Sequence, residues 1–239
     1  MHTSIKKLIM RWEAKPIPND DVIKFLQYQI GVSRNISTIL VQRGIRNFDM
    51  AKSFFRPELN HLHDPFLMKD MKFATARIDE AIKNHEKILI YGDYDVDGVT
   101  STALLTTFLR QKTTNIFPYI PDRETEGYGI SFNGINEAVK KGVSLIISID
   151  CGIKAVQQVE YAKAKNIDFI ICDHHLPETQ IPNAIAVLDP KRDDCEYPFK
   201  ELCGCGIGFK LIQALCLEWG IDPQQLICLL YTSPSPRDS

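Results

Sequence analysis

Lys87-Ile88-Leu89-Ile90-Tyr91-Gly92-Asp93-Tyr94-Asp95-Val96-Asp97-Gly98 joins an apolar run directly to three alternating aspartates. Residues 87–91 read as a strand that leads into the acids. In an extended strand, residues two apart point the same way. Asp93, Asp95 and Asp97 therefore aim three carboxylates at one place, provided the chain stays extended through them. Carboxylates that close repel one another. The cluster calls for a cation, and a divalent metal is the first candidate.

The pattern around this stretch is regular. Helices are expected over 74–83, 99–110, 132–141 (capped by Ser131), 154–165 and 208–219, and strands over 115–120, 145–149, 168–172 and 184–188. Strands alternating with helices indicate an α/β fold, a parallel sheet flanked by helices. Apolar runs such as Leu145-Ile146-Ile147 and Phe169-Ile170-Ile171 suit its central strands. Residues 1–70 read as a short helical leader, with amphipathic helices over 36–43 and 47–55. Asn60-His61-Leu62-His63-Asp64-Pro65 is a breaker, in which His61 and His63 read as surface groups. The expected division is a leader over 1–70 and a catalytic domain over 71–227.

In open parallel sheets, ligands bind beyond the carboxyl ends of the strands. Three expected strands end in ligand-type residues: Asp93, Asp95 and Asp97; Ser148-Ile149-Asp150-Cys151-Gly152; and Cys172-Asp173-His174-His175. One strand-end aspartate is often only a helix cap. Five carboxylates and two histidines converge on one rim if these strands are neighbours. Mixed carboxylate and imidazole ligation suits Mn²⁺, Fe²⁺, Zn²⁺ or Mg²⁺. The surplus of carboxylates favours the harder ions. More ligands than one ion needs suggests two, the arrangement of phosphoryl hydrolysis.

The 239 residues are 44% hydrophobic and 24% charged, ordinary for a soluble globular chain. No apolar run is long enough to span a bilayer and no signal peptide is evident at the start, so a cytoplasmic location without membrane attachment is expected. Seven scattered cysteines then read as reduced thiols. Cys203 and Cys205 form a C-x-C pair without a second pair at zinc-finger spacing, and packing in a glycine-rich turn is the plainer reading. Residues 1–86 hold 14 Lys and Arg against 10 Asp and Glu, so the overall charge of −2 divides into +4 and −6. That modest basic excess is weak support for nucleic-acid contact.

Asp173-His174-His175 after a buried strand resembles the defining motif of the DHH phosphoesterase superfamily. Gly92-Asp93-Tyr94-Asp95-Val96-Asp97-Gly98-Val99-Thr100-Ser101-Thr102 is similar to its single-stranded-DNA exonuclease branch. So are Pro121-Asp122-Arg123, Glu126-Gly127-Tyr128-Gly129, Asp189-Pro190-Lys191 and Leu202-Cys203-Gly204-Cys205-Gly206. The resemblance covers about residues 36–227 and keeps the motifs in order. It implies a 5′→3′ exonuclease on single-stranded DNA in recombination and repair, using two divalent ions, Mn²⁺ or Mg²⁺. It also implies a helicase and a single-strand-binding protein as partners. By position, Asp93, Asp95, Asp97, Asp150 and His174 are the implied metal ligands. Asp97, His175 and Asp173 are the implied catalytic group, with His175 facing phosphate and Asp173 orienting the histidines. Relatives that act on oligoribonucleotides, cyclic dinucleotides or pyrophosphate, and non-catalytic replication scaffolds, are the alternatives. The first motif here differs from those enzymes, and the intact ligands argue against a scaffold.

Three further residues are expected at the substrate. Gly98 lets the strand turn into a helix whose amino end can face a phosphate. Arg123 can hold a phosphate, or pair with Glu124 or Glu126. Tyr128 can stack on a base, or pack in its loop. Lys191 and Arg192 read as a solvated basic pair.

Cys228 to Asp238, eleven residues, match a transposase sequencing adaptor translated in one frame. The expectation is that residues 228–239 are a non-native tail. The resemblance places a fourth acidic motif, a second domain and an OB-fold beyond Ile227, so little nuclease activity is expected of a chain ending there. A clean genomic read encoding Ser233-Pro234-Ser235-Pro236 in frame would refute the adaptor origin.

Overall fold

A strand that is apolar on both faces needs cover on both sides, and three such strands form the middle of this protein. The computed structural model describes residues 13–222; the tail at 228–239 lies outside them. The chain divides into two units between Leu62 and His63.

The first unit contains α1 (Asp20–Ile30), α2 (Arg34–Gln42) and α3 (Phe48–Phe55). Side chains of Asn19, Ser33 and Asn47 accept backbone N–H groups and so begin the three helices. Ile23, Leu26, Leu40, Val41, Ile45 and Ala51 form its own core. α1 is not among the helices expected from the sequence; its buried positions are only Ile23 and Leu26.

In the second unit, a short 3-10 turn at Pro65–Leu67 is followed by α4 (Met71–Lys83), β1 (Ile88–Gly92), α5 (Val96–Arg110), β2 (Ile116–Tyr119), α6 (Phe132–Lys141), β3 (Leu145–Ile149), α7 (Val156–Lys163), β4 (Asp168–Cys172), β5 (Ala186–Leu188) and α8 (Gly204–Trp219). The unit begins at His63 rather than at 71, because the turn at Pro65–Leu67 packs on α4 and α8. The sheet order is β2-β1-β3-β4-β5, and every pair is parallel. Side chains alternate between its faces. Ile88, Ile90, Ile147, Ile149 and Ile170 meet Ile78, Leu105, Phe108, Leu211 and Leu215 of α4, α5 and α8. Leu89, Tyr91, Ile146, Phe169 and Ile171 meet Ile135, Ala138, Val159 and Ala162 of α6 and α7. Each buried aliphatic side chain contributes about 1.5–3 kcal/mol. This burial on both faces pins the register, since a slip of one residue would exchange the faces.

Register decides what emerges at the carboxyl edge. Gly92 lies beside Ile149, Ile149 beside Cys172, and Cys172 beside Leu188. The next residue of each strand is an aspartate: Asp93, Asp150, Asp173 and Asp189. All four are buried, at 0–2% exposure. The order of strands reverses between β1 and β3, the switch point at which such sheets open a crevice.

The chain does not stay extended through the three alternating aspartates. Asp95 caps α5, its carboxylate accepting Gly98 N–H at 2.9 Å, so the helix starts at Val96, three residues earlier than expected. Gly98 is thus inside the first helical turn and not at the strand-to-helix turn. A Cβ there would lie 2.6 Å from Asp93 N and 2.5 Å from Asp93 O. At the far end, Trp219 of α8 stacks on Phe108 of α5, with centroids 5.6 Å apart.

Gly98→Ala tests this close approach. Alanine favours a helix by about 1 kcal/mol, but the clash is with backbone that cannot step aside. Urea unfolding is expected to show a net loss of about 1–3 kcal/mol; unchanged or increased stability would refute the contact.

Candidate metal centre

Asp150 follows β3 in the left-handed region, at φ 64°. That conformation costs an ordinary L-residue about 1–2 kcal/mol, a cost that the surrounding packing offsets. Its N–H donates to Cys172 O at 2.8 Å. Its carboxylate is directed among its neighbours: Oδ1 lies 3.1 Å from His174 Nε2. Ligand atoms of Asp93, Asp95 and Asp150 all lie within 4.8 Å of one another, and so do those of Asp150, His174 and His175. Asp150 is common to both groups.

Asp97 belongs to neither group among the described residues. Its two oxygens accept Gly204 N–H at 2.6 Å and Cys205 N–H at 2.8 Å, at the amino end of α8. His174 Nε2 is 3.9 Å away. The Cys203-Gly204-Cys205-Gly206 segment is therefore a helix start rather than a glycine-rich turn. Gly204 also presses on Asp150: a Cβ there would lie 2.6 Å from Asp150 Cβ. No cysteine joins a group of ligands among the described residues.

Asp173 directs one histidine ring, not two. Its Oδ1 lies 2.7 Å from His175 Nδ1 and accepts the backbone N–H groups of His174 and His175, while Oδ2 accepts Ile153 N–H. His175 Nε2 lies 3.1 Å from the Tyr128 hydroxyl. The Tyr128 ring is exposed, edge-on to Tyr94 and His175. Arg123 pairs with neither Glu124 nor Glu126 among the described residues; its guanidinium lies over the Tyr94 ring, 5.2 Å from the centroid. Gly98 is buried and its N–H is held by Asp95, so that donor is not free for a phosphate. Lys191 lies 3.6 Å from Glu201. Arg192 is not solvated: it is 7% exposed, bonded to Asp70, Asp194 and Val187 O. His61 and His63 are exposed.

Asp189 is absent from the residues expected at the site. It is fully buried, Oδ1 accepts Lys191 N–H at 2.7 Å, and Oδ2 has no hydrogen-bond partner among the described residues. The available signal is its place: an acid directly after an apolar strand, as at Asp93, Asp150 and Asp173.

The protonation energetics suit a cation. Burial pushes Asp150 up to about 6, opposed by His174 and reinforced by Asp97 and Asp95. Burial likewise raises Asp93, and brings Asp189 to about 6. Burial would also raise Asp173, but His175 and the Ile153 N–H outweigh it and hold the group low. His174 and His175 are raised by Asp150 and Asp173 respectively. Asp93 Oδ1 is buried without a hydrogen-bond donor among the described residues, an expensive state for a carboxylate that lacks a counter-ion. Carboxylates with one or two imidazoles are a donor set for hard or borderline divalent ions, and these residues fit that group.

The profile of the DHH family, N-terminal domain, matches residues 87–232. The chain belongs to the DHH family. Its similarity to individual proteins points to one branch. The single-stranded-DNA-specific exonuclease RecJ of Bacillus subtilis (strain 168) is 43% identical over 209 residues, covering 87% of this chain and 26% of that protein. RecJ of Escherichia coli (strain K12) is 39% identical over 143 residues, 59% of this chain and 25% of that one. A crystal structure of exonuclease RecJ bound to manganese superposes with a TM-score of 0.60 and 31% identity, over 65% of this chain and 40% of its own. RecJ in complex with Mn²⁺ from Thermus thermophilus superposes with a TM-score of 0.70 and 25% identity, over 89% and 30%. The chain thus spans about a quarter of the length of these two curated relatives. No described helix is long and apolar enough to cross a membrane.

Asp150→Asn separates stability from metal binding. Without metal, the folded Asp150 holds its proton up to about pH 6, whereas the unfolded chain releases it near 3.8. Its contribution to stability is therefore present at low pH and is lost as pH rises through about 6. In chelator, the melting temperature of the variant relative to the unaltered chain is expected to rise between pH 4 and 6.5. Manganese is expected to stabilise only the unaltered chain. A pH-independent difference, or equal stabilisation by manganese, would contradict the assignment.

Proposed function

We propose that this chain supplies the metal-binding catalytic centre of a 5′→3′ exonuclease that degrades single-stranded DNA during recombination and repair. The observation that carries the reading is the pair of ligand groups joined at Asp150, on the ends of three adjacent strands. Relatives similar in sequence, named as single-stranded-DNA-specific exonucleases, support the substrate. We assign Asp93, Asp95, Asp97, Asp150 and His174 to two divalent ions, Mn²⁺ or Mg²⁺, the ions that solved RecJ structures hold.

Such ions, when bound, lower the pKa of water and offset charge on a transferring phosphoryl group. The chain's own residues do the rest. Asp97, fixed by two N–H groups of α8, holds its carboxylate at a set height beside His174. Asp173 engages His175 Nδ1, and the Tyr128 hydroxyl, 3.1 Å from Nε2, holds the ring from its other side, so that the imidazole is set beside a bound phosphate. Arg123, lying over the Tyr94 ring, and the exposed Tyr128 offer a cation and an aromatic face to the terminal nucleotide. A helicase and a single-strand-binding protein in the cytoplasm are the proposed partners.

The test is release of nucleotide from end-labelled oligonucleotides with the chain in excess, so that weak affinity does not mask cleavage. Manganese-dependent release from the 5′ end of single-stranded DNA is expected, falling at least a hundredfold in Asp150→Ala. Preference for duplex DNA or RNA, release from the 3′ end, or activity that survives Asp150→Ala would overturn the reading.

A further inference from the structure

The loop between β2 and α6 carries Arg123 and Tyr128, and most of it is exposed. It is nevertheless built in detail. Asp122 accepts the N–H groups of Glu124 and Thr125 and the Thr125 hydroxyl. Glu126, half-buried beneath the loop, accepts the Tyr119 hydroxyl at 2.8 Å, Asp122 N–H at 3.0 Å and the Ser131 hydroxyl. Ser131 N–H in turn donates to the hydroxyl of Tyr91, a fully buried residue of β1, and that hydroxyl donates to Gly129 O at 3.1 Å. One carboxylate thereby joins the strand that enters the loop, the loop's first turn and the cap of the helix that leaves it.

Glu126 has no ion pair among the described residues, although Arg123 is three positions away. Burial would raise its pKa, yet the Ser131, Asp122 and Tyr119 donors hold it low. Its partners are neutral donors that belong to the scaffold. What the scaffold presents is Tyr128, set between Gly127 and Gly129, which both adopt left-handed φ of about 80° and turn the chain sharply on either side of it. An aromatic side chain 61% exposed, on so exposed a loop, would ordinarily sample several positions; here its hydroxyl lies 3.1 Å from His175 Nε2.

Resting on the function proposed above, we infer that Glu126 is a positioning residue: it grips the loop from below, fixes Tyr128, and through the Tyr128 hydroxyl sets the ring of His175. Glu126→Gln keeps the size of the side chain but replaces one acceptor oxygen with an NH₂, which must face a donor. Tyr119→Phe removes one of the donors and leaves the carboxylate. Both act at a distance from the ligands.

Two measurements test the inference. In the full chain labelled with 3-fluorotyrosine, the Tyr128 resonance is assigned by its loss in Tyr128→Phe. Glu126→Gln and Tyr119→Phe are expected to shift or broaden that resonance while the chain stays folded. An unmoved resonance in either folded variant overturns the proposal. In the nuclease assay, Glu126→Gln and Tyr128→Phe are each expected to lower kcat about tenfold with KM little changed. The double variant is expected to be no worse than either, since both changes break one chain of contacts. Additive losses, about a hundredfold together, would mean that Glu126 acts elsewhere. The fluorine spectrum needs no activity, so it decides the positioning role even if the chain cleaves no DNA.

Discussion

The parallel register of β1, β3, β4 and β5 is the constraint on which the rest depends. It places Gly92, Ile149, Cys172 and Leu188 side by side, and with them the four aspartates that follow. The register is held by apolar side chains on both faces. Burial of hydrocarbon thus gathers carboxylates that would otherwise repel one another. The acids tolerate this only through individual solutions. Asp173 is satisfied by N–H groups and His175, Asp97 by the start of α8, and Asp95 by capping α5. Asp93 and Asp150 are left with strength to spare, and that surplus suits the place to a cation.

Much of this is legible in the residues. The strands at 145–149 and 168–172 and the helix at 132–141 lie where the pattern puts them, because apolar runs and a Ser131 cap are local signals. The convergence of the three acidic strand ends is legible too, but alternation in an extended chain is not what brings Asp95 beside Asp93, and Asp97 does not join them. What brings Asp95 there is a helix beginning at Val96, and its start depends on Gly98 passing within contact distance of Asp93. That contact spans only five residues, yet it depends on backbone geometry that composition does not reveal.

Other features depend on distant partners. Arg192 looks like a surface cation in sequence, but Asp70, 122 positions earlier, takes it into the interior. The glycine of Cys203-Gly204-Cys205 reads as a turn residue until Asp150 and Asp97 arrive beside it. Asp189 follows the same strand-end rule as the other three acids, but Pro190 and Lys191 directly after it suggest surface.

The stacking of Trp219 on Phe108 has a consequence for charge at the opposite end of α5 and α8. α5 and α8 are clasped there by their final turns, while Asp97 joins their first turns. The two helices therefore run side by side in the same direction, and both amino ends face the carboxylates. Each helix carries roughly half a positive charge at that end. Together they lend the centre about one positive charge that no side chain supplies, so an incoming polyanion meets a weaker repulsive field than the count of aspartates implies.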